Sequence, residues 1–463
     1  MNGMATRELP TEQLPMAVDD RRSCRIGPDI DRLDIAHSAA TSRSGTLDPD
    51  RSCVMQTVTE ADVGRRLSAL DAEEPRVVVS GNFATPWRLV AIANSSLATW
   101  RAFVLNPQLG WPERKGLITE TPFVGDGIRG ASGVEFFPMR LSLVPRLFAS
   151  SRPPDVVLLQ TSPPQRGRVS LGIEVNILPA AIHEVRRRGG VVVAQVNPRM
   201  PYTMGDGEID ADLIDLALEV DEPLQSPRSR PIDDGAAQIG RHIASLASDG
   251  ATLQMGIGLV PDAALSFMGR LRHLGVWSEM ISDGVMALDR AGAIDPDRVV
   301  TSTFLYGSAE LYRWVHRNPR VVMRRTEVAN NPARIAEQPS MVSINTALEV
   351  DLYAQANASY VRGTIYSGFG GQPDFVSGAL HSRNGQAVLA LRSWHEKSDE
   401  STVVPLLNTP VCSFQHSAVV TEQGVATLFG RSQSAQARAL IDCAAHPRAR
   451  DGLERAAKEL GIL

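Results

Sequence analysis

Hydrophobic positions along this chain collect in short runs that are apolar on both faces, separated by stretches with helical spacing. Residues 76–80 (RVVVS), 155–160 (DVVLLQ), 190–195 (GVVVAQ) and 252–255 (TLQM) each read as a buried strand. Between them, residues 86–94 predict a helix with proline in its first turn, and residues 179–188 predict a second. The first convincing helical pattern lies in MQTVTEADVGRRLSAL, where Val58, Val63, Leu67 and Leu70 share a face. Strands apolar on both sides and alternating with helices imply a parallel sheet covered on both faces.

The same alternation divides the chain. Residues 1–55 mix charged and small polar residues with little apolar periodicity, so they cannot bury enough surface to offset the cost of ordering; a disordered leader is expected, or a biological start nearer Met55. An N-terminal α/β domain is expected over 56–235, ending in the polar, proline-rich stretch 221–234 (DEPLQSPRSRPIDD). A C-terminal α/β domain follows over 236–463, with a helix at 237–246 and further strands at 321–323, 358–361 and 387–391. The predicted fold class is α/β, built as two open, mostly parallel-sheet domains.

Composition narrows the function classes. The chain has 463 residues, 43% hydrophobic and 21% charged, with net charge −5, and its arginines are scattered instead of forming a basic stripe. No nucleic-acid partner is expected. No apolar run is long enough to span a bilayer, and the first 30 residues lack a signal-type apolar core, so no membrane association and a cytoplasmic chain are expected. The four cysteines (Cys24, Cys53, Cys412, Cys443) form no CxxC pair and the histidines no HExxH; no metal site is expected, and Cys412 beside His416 reads better as a core thiol.

Candidate chemistry concentrates in the second half. In LQMGIGLVPDAAL the strand ends in a turn at Gly256-Ile257-Gly258, and a helix opens around Pro261 with Asp262 in its first turn. In LGVWSEMISDG a second strand, 275–280, carries Glu279 to the carboxyl edge of a parallel sheet, where open α/β sheets bind ligands. Taken alone, Glu279 could as well be a solvated side chain. The GIG turn is too short for a dinucleotide fingerprint, and neither a P-loop nor GxSxG is present. SGFGG, residues 367–371, is either a flexible turn or a loop whose backbone amides can face a developing anion. Asn330-Asn331-Pro332 is a turn signal.

Six segments occurring in order carry a resemblance. LQMGIGLVPDAAL, LGVWSEMISDGV, FLYGSAELY, SINTALEVDL, YSGFGGQPDFVSGA and VVTEQGVATLFG, preceded by SPPQRGRVSLG and VNPRMPYTMGD, resemble the acetyl-CoA hydrolase/transferase family of class I CoA-transferases, which includes 4-hydroxybutyrate CoA-transferases. The resemblance runs from about Arg76 to the C-terminus. It implies that the site lies in the cleft between the two α/β domains and that Glu279 is the nucleophile. It further implies oxyanion and CoA contacts from Gly370 and Gly371, with Gly256 and Gly258 alongside, and an asparagine steadying the glutamate, Asn330 or, one position on, Asn331.

The implied reaction moves CoA between a short acyl-CoA, acetyl-CoA foremost, and a small carboxylate. CoA is then a substrate, and no permanently bound cofactor is expected. An acetyl-CoA hydrolase and a non-catalytic acyl-CoA binding protein are the alternatives, and a homodimer or higher oligomer is implied. The chain departs from the family pattern at Trp277-Ser278, where His-Thr is usual; both residues are expected in the wall of the acyl pocket.

Overall fold

The computed structural model describes residues 55–227, 231–409, 411 and 415–463. The expected leader, apart from Met55, and Cys24, Cys53 and Cys412 lie outside the described residues. Among those described, two sheets carry the architecture. The first has eight strands in the order Gln56–Thr57, Leu216–Glu219, Val191–Val196, Val156–Thr161, Arg76–Val79, Trp100–Val104, Leu117–Thr121 and Val134–Phe136, every neighbouring pair parallel. The apolar runs at 76–80, 155–160 and 190–195 are therefore central strands, and Val157, Leu158, Leu159 and Val193 are fully buried. Burial on both faces is why these strands show no alternation in sequence.

The second sheet has eleven strands. Its centre is Thr252–Met255, flanked in parallel by Gly275–Trp277 and Met341–Thr346, and continued by Gln386–Ala390 on one side and by Val300–Ser302 and Val321–Met323 on the other. Antiparallel pairing enters at the hairpin Ala418–Thr421/Gly424–Thr427 and at the single register Met255↔Met280. The mixed α/β class and its mostly parallel sheets agree with the expectation from sequence.

Three expectations change. The strand predicted over 275–280 is broken: Gly275–Trp277 and Met280–Ile281 are separate strands, and Met280–Ile281 pairs with Phe304–Leu305 instead of continuing the first ladder. The strand predicted at 358–361 is two residues of a small hairpin, Tyr360–Val361 against Thr364–Ile365, outside the large sheets. Pro86 caps the helix Trp87–Ser96 from outside instead of standing in its first turn.

The two sheets share one hydrophobic cluster, with Val78 and Phe103 from the first and Leu253, Met255 and Val342 from the second. They are also linked through the backbone. Met204–Gly205, which follows the first sheet's Val191–Val196 in the chain, is the edge strand of the second sheet, in register with Val322 and Met323. Gly205 has φ +100, and a Cβ there would strike the Met323 carbonyl, so this edge requires glycine. Nearby, Glu174 bridges Phe304 and Asn176 bridges Arg325.

Candidate active site

The break in the strand places Glu279 at the end of the sheet. Ser278 is buried with its Oγ 3.3 Å from both the N and O of Met255, which holds the chain against the central strand just before it turns. The Glu279 carbonyl accepts the Thr303 and Phe304 amides at 2.9 and 3.2 Å, and Thr303 Oγ1 lies 2.7 Å from it. With its main chain held, the Glu279 side chain turns into a cavity of about 410 Å³.

This cavity is lined by Asn82, Asn106 and Phe123, which follow strands of the first sheet, by Gln254 and Gly256 at the end of the second sheet's central strand, and by Gly370 of the glycine loop. The glycine loop is docked across it. Val124 N donates to Ser367 O at 3.0 Å, Leu141 N donates to Gly370 O at 3.1 Å, and Arg129 stacks over the Tyr366 ring at 3.9 Å. These contacts hold 366–371 in a defined path, and the loop feeds directly into the helix Gln372–His381, with Gly371 at its N-cap.

That path brings Gly371 against the Glu279 carboxyl, which Asn330 meets from a separate turn. Asn330, fully buried, donates from Nδ2 to Glu279 Oε2 at 2.7 Å. Asn331 instead accepts from Ala333 N at 2.9 Å and caps the short helix Pro332–Ala336. Gly371 lies against the same carboxylate, and its backbone helps to hold the Glu279 pKa down. A Cβ at 371 would overlap Glu279 Oε2 and Asn330 Nδ2, so glycine is required there by space, its φ of −89° being ordinary. Gly370 is required by conformation, with φ +50.

Asp374, in the first turn of the same helix, is buried and accepts from Ser142 Oγ and N at 2.8 and 3.2 Å. Burial pushes its carboxyl up to about 6, with the Ser142 bonds opposing. Burial likewise raises Glu279 to about 7; the Asn330 bond holds it down and the like charge of Asp374 adds to the rise. A carboxylate that is largely buried, lines the cavity and is kept partly ionised by a directed donor is suited to act as a nucleophile.

The remaining predicted positions fall around this centre. Gly256 lines the cavity, whereas Gly258, with φ +123, is the N-cap of the helix Leu259–Phe267 and lies outside the lining. Trp277 and Ser278 also stand outside the lining: Trp277 packs among Ile335, Met341, Phe375 and Ala379 and donates from Nε1 to Ala329 O at 2.8 Å. The strand's alternation turns Trp277 toward the back of the Asn330 turn, away from the cavity. Sequence reasoning passed over Asp374, Asn82, Asn176 and Glu174. The available signal was an acid standing alone in the apolar run VSLGIEVNILP, where a buried polar group needs partners. Among the described residues no group of three histidine, cysteine, aspartate or glutamate side chains is arranged to hold a metal ion, and no helix is long and apolar enough to cross a membrane.

Comparison with known proteins gives this arrangement a family. The chain matches the acetyl-CoA hydrolase/transferase N-terminal domain over residues 117–224 and the C-terminal domain of the same family over 307–457, and it belongs to that family. It is 40% identical over 347 residues to the 4-hydroxybutyrate coenzyme A transferase of Clostridium kluyveri, covering 72% of this chain and 80% of that one. It is 36% identical over 408 residues to a succinyl-CoA:acetate/propanoyl-CoA:succinate CoA transferase of Fasciola hepatica, covering 82% and 84%. The crystal structure of a 4-hydroxybutyrate CoA-transferase from Porphyromonas gingivalis superposes with a TM-score of 0.72 at 31% identity, over 87% of this chain and 97% of that one.

Proposed function

We propose that the protein is a CoA-transferase that moves CoA from a short acyl-CoA, acetyl-CoA foremost, to a small carboxylate, with Glu279 as the covalent nucleophile. The observation that carries this reading is the Glu279 carboxyl lining the cavity, bonded by Asn330 Nδ2 and packed against Gly371. The named activities of the similar proteins support it.

In this reading the Glu279 carboxylate attacks the thioester carbonyl, and CoA leaves as the thiolate, giving an acyl-glutamyl anhydride. The thiolate attacks the glutamyl carbonyl; the first carboxylate leaves and a glutamyl-CoA thioester remains. The acceptor carboxylate then attacks that thioester, releasing the thiolate and forming a second anhydride. Attack of the thiolate on the acceptor's own acyl carbonyl yields the new acyl-CoA and restores Glu279. Each step passes through a tetrahedral oxyanion. Where that oxyanion forms on the glutamyl carbonyl, Asn330 is already aimed at it, so this donor does not have to be recruited during the reaction. No metal enters any step, and CoA is a carried group.

Incubating the protein with acetyl-CoA and a panel of short carboxylates tests the reading. New CoA thioesters are expected. Free thiol without new thioesters would assign a hydrolase, and CoA binding with neither product would assign a binding protein. Borohydride reduction during turnover is expected to modify Glu279 alone, and Glu279→Ala is expected to abolish transfer; a Glu279→Ala protein with wild-type turnover overturns the assignment.

A further inference from the structure

Behind Glu279 lies a second buried carboxyl that the transfer steps do not use. Glu174 is 0% exposed. Its Oε2 accepts from Asn82 Nδ2 at 2.8 Å and its Oε1 from Asn176 Nδ2 at 2.9 Å. Each asparagine is engaged at its other end. Asn106 Nδ2 donates to Asn82 Oδ1 at 2.8 Å, and Thr303 Oγ1 stands 2.7 Å from Asn176 Oδ1 and 2.7 Å from the Glu279 carbonyl. These contacts form a chain from Asn106 through Asn82, Glu174 and Asn176 to Thr303, whose single hydroxyl proton is shared between Asn176 Oδ1 and the main-chain carbonyl of Glu279.

The backbone around this chain turns through the left-handed region. Asn82, Asn106 and Asn176 have φ of +49, +47 and +35. Asparagine is one of the few side chains that adopts this conformation readily, so all three turns suit the residue that also supplies the amide. Asn82, Asn106 and Asn176 all line the cavity that receives Glu279, while Glu174 itself does not reach it.

We propose that Glu174 is the positioning carboxyl of this site: through Asn176 and Thr303 it sets the main chain that carries Glu279, and through Asn82 and Asn106 it sets the amide floor beneath the reacting acyl group. The proposal rests on the CoA-transferase reading above. Both carboxyl oxygens face amide N–H donors, so only a group that accepts at both ends completes the network. Glutamine at 174 would set one –NH₂ against another, and either Asn82 or Asn176 would have to turn and give up its bond to Asn106 or Thr303.

Electrostatics adds a second link. Burial raises Glu174 to about 7, the two asparagine bonds oppose the rise, and the Glu279 charge adds to it. The Glu279 charge acts on Glu174, and the Asp374 charge acts on Glu279 in turn. Once Glu279 is acylated its charge is gone and Glu174 ionises more readily. In the resting site the repulsion acts both ways, so removing the charge at 174 eases ionisation of Glu279.

Glu174→Gln, Glu174→Asp and Thr303→Val test this with the full chain, using acetyl-CoA and whichever carboxylate the wild type accepts. Glu174→Gln is expected to lower kcat by about tenfold to a hundredfold, as a slightly misplaced reacting group does, with the KM for acetyl-CoA little changed. It is also expected to move the acid limb of the kcat/KM profile to lower pH. Glu174→Asp is expected to recover part of the kcat, and Thr303→Val, which keeps the side-chain shape, to reproduce the kcat loss without the pH shift. A folded Glu174→Gln protein with wild-type kcat and an unmoved acid limb overturns the proposal, as does a loss that appears equally in KM and that aspartate does not relieve. If Glu174→Gln does not fold, Thr303→Val decides: wild-type kcat there overturns the proposal, and a reduced kcat with unchanged KM upholds it. Each comparison is with the wild type, so a wild type that makes no new thioester counts against the CoA-transferase reading and is recognised before any variant is measured.

Discussion

Asn330 and Glu279 are 51 residues apart in the chain and 2.7 Å apart in the fold, while Asn331, next in sequence, turns away to cap a helix. The two asparagines therefore separate activity from stability. Asn330→Ala is expected to lower kcat on the order of 10²-fold, the cost of losing a directed donor. Asn331→Ala is expected to cost about 1 kcal/mol of stability, as loss of an N-cap does, and to leave turnover near wild type. Thermal unfolding and steady-state rates on the two proteins check both statements.

The acid limb of activity should fall near pH 7, well above the usual range for a glutamate. Glu279 must be ionised to attack, and burial raises it to about 7, so the active fraction falls as pH drops through that value. Because the Asn330 bond holds the carboxyl down, Asn330→Ala should move the limb to still higher pH. A limb below pH 5 in the wild type would contradict this. The sign for stability follows from the same shift. A carboxyl raised in the folded state favours folding fully below its unfolded value near 4.5, and that contribution is lost as pH rises through about 7. Glu279→Gln should thus be more stable than wild type above pH 7, with the gain disappearing below pH 4.5.

Adjacent glycines in the docked loop should fail for different reasons. A methyl group at 371 takes the space of the Glu279 carboxyl and Asn330 amide, so Gly371→Ala is expected to remove activity by on the order of 10²–10³, with the fold retained. At 370 the difficulty is φ +50, so Gly370→Ala should cost about 1–2 kcal/mol of stability, and Gly370→Asn less, because asparagine tolerates that conformation. Denaturant midpoints measured beside rates separate the two effects.

Trp277 gives a prediction about selectivity. Its indole N–H is bonded to Ala329 O, next to Asn330, and its ring packs behind the turn. Trp277→Phe should lower kcat several-fold by loosening Asn330 and leave the ranking of carboxylate acceptors unchanged. A re-ordered ranking would put Trp277 back in the wall of the acyl pocket.

Much of the sheet architecture was legible because parallel strands buried on both faces leave continuous apolar runs: 76–80, 155–160 and 252–255 correspond to observed strands. Glu279 was singled out only through the order of motifs around it, since one acid after an apolar run is ordinary. What lay beyond reading was the assembly. Gly371 and Asp374 are placed near Glu279 by tertiary docking of 366–371 onto 122–141, and Asn330 by the turn backed by Trp277; no local periodicity encodes such contacts. The strand break at Ser278-Glu279 was hidden for a related reason: an apolar run looks the same whether it continues its ladder or changes partners, as Met280 does. Glu174 was visible as an anomaly in VSLGIEVN, but its partners Asn82 and Asn176 lie 92 residues away in one case and two in the other.

The edge strand Met204–Gly205 has a practical consequence for anyone dividing this protein. The proline-rich stretch after Glu219 invites a cut, yet a C-terminal piece made alone would lack both its outermost strand and the 173–176 segment on which 303–305 rests. The N-terminal piece would carry those segments with nothing to pair them. Neither half is a self-sufficient unit for expression or for transplanting onto another scaffold. Mixing the two separately made pieces, with recovery of activity only in the mixture, is how that dependence would show itself.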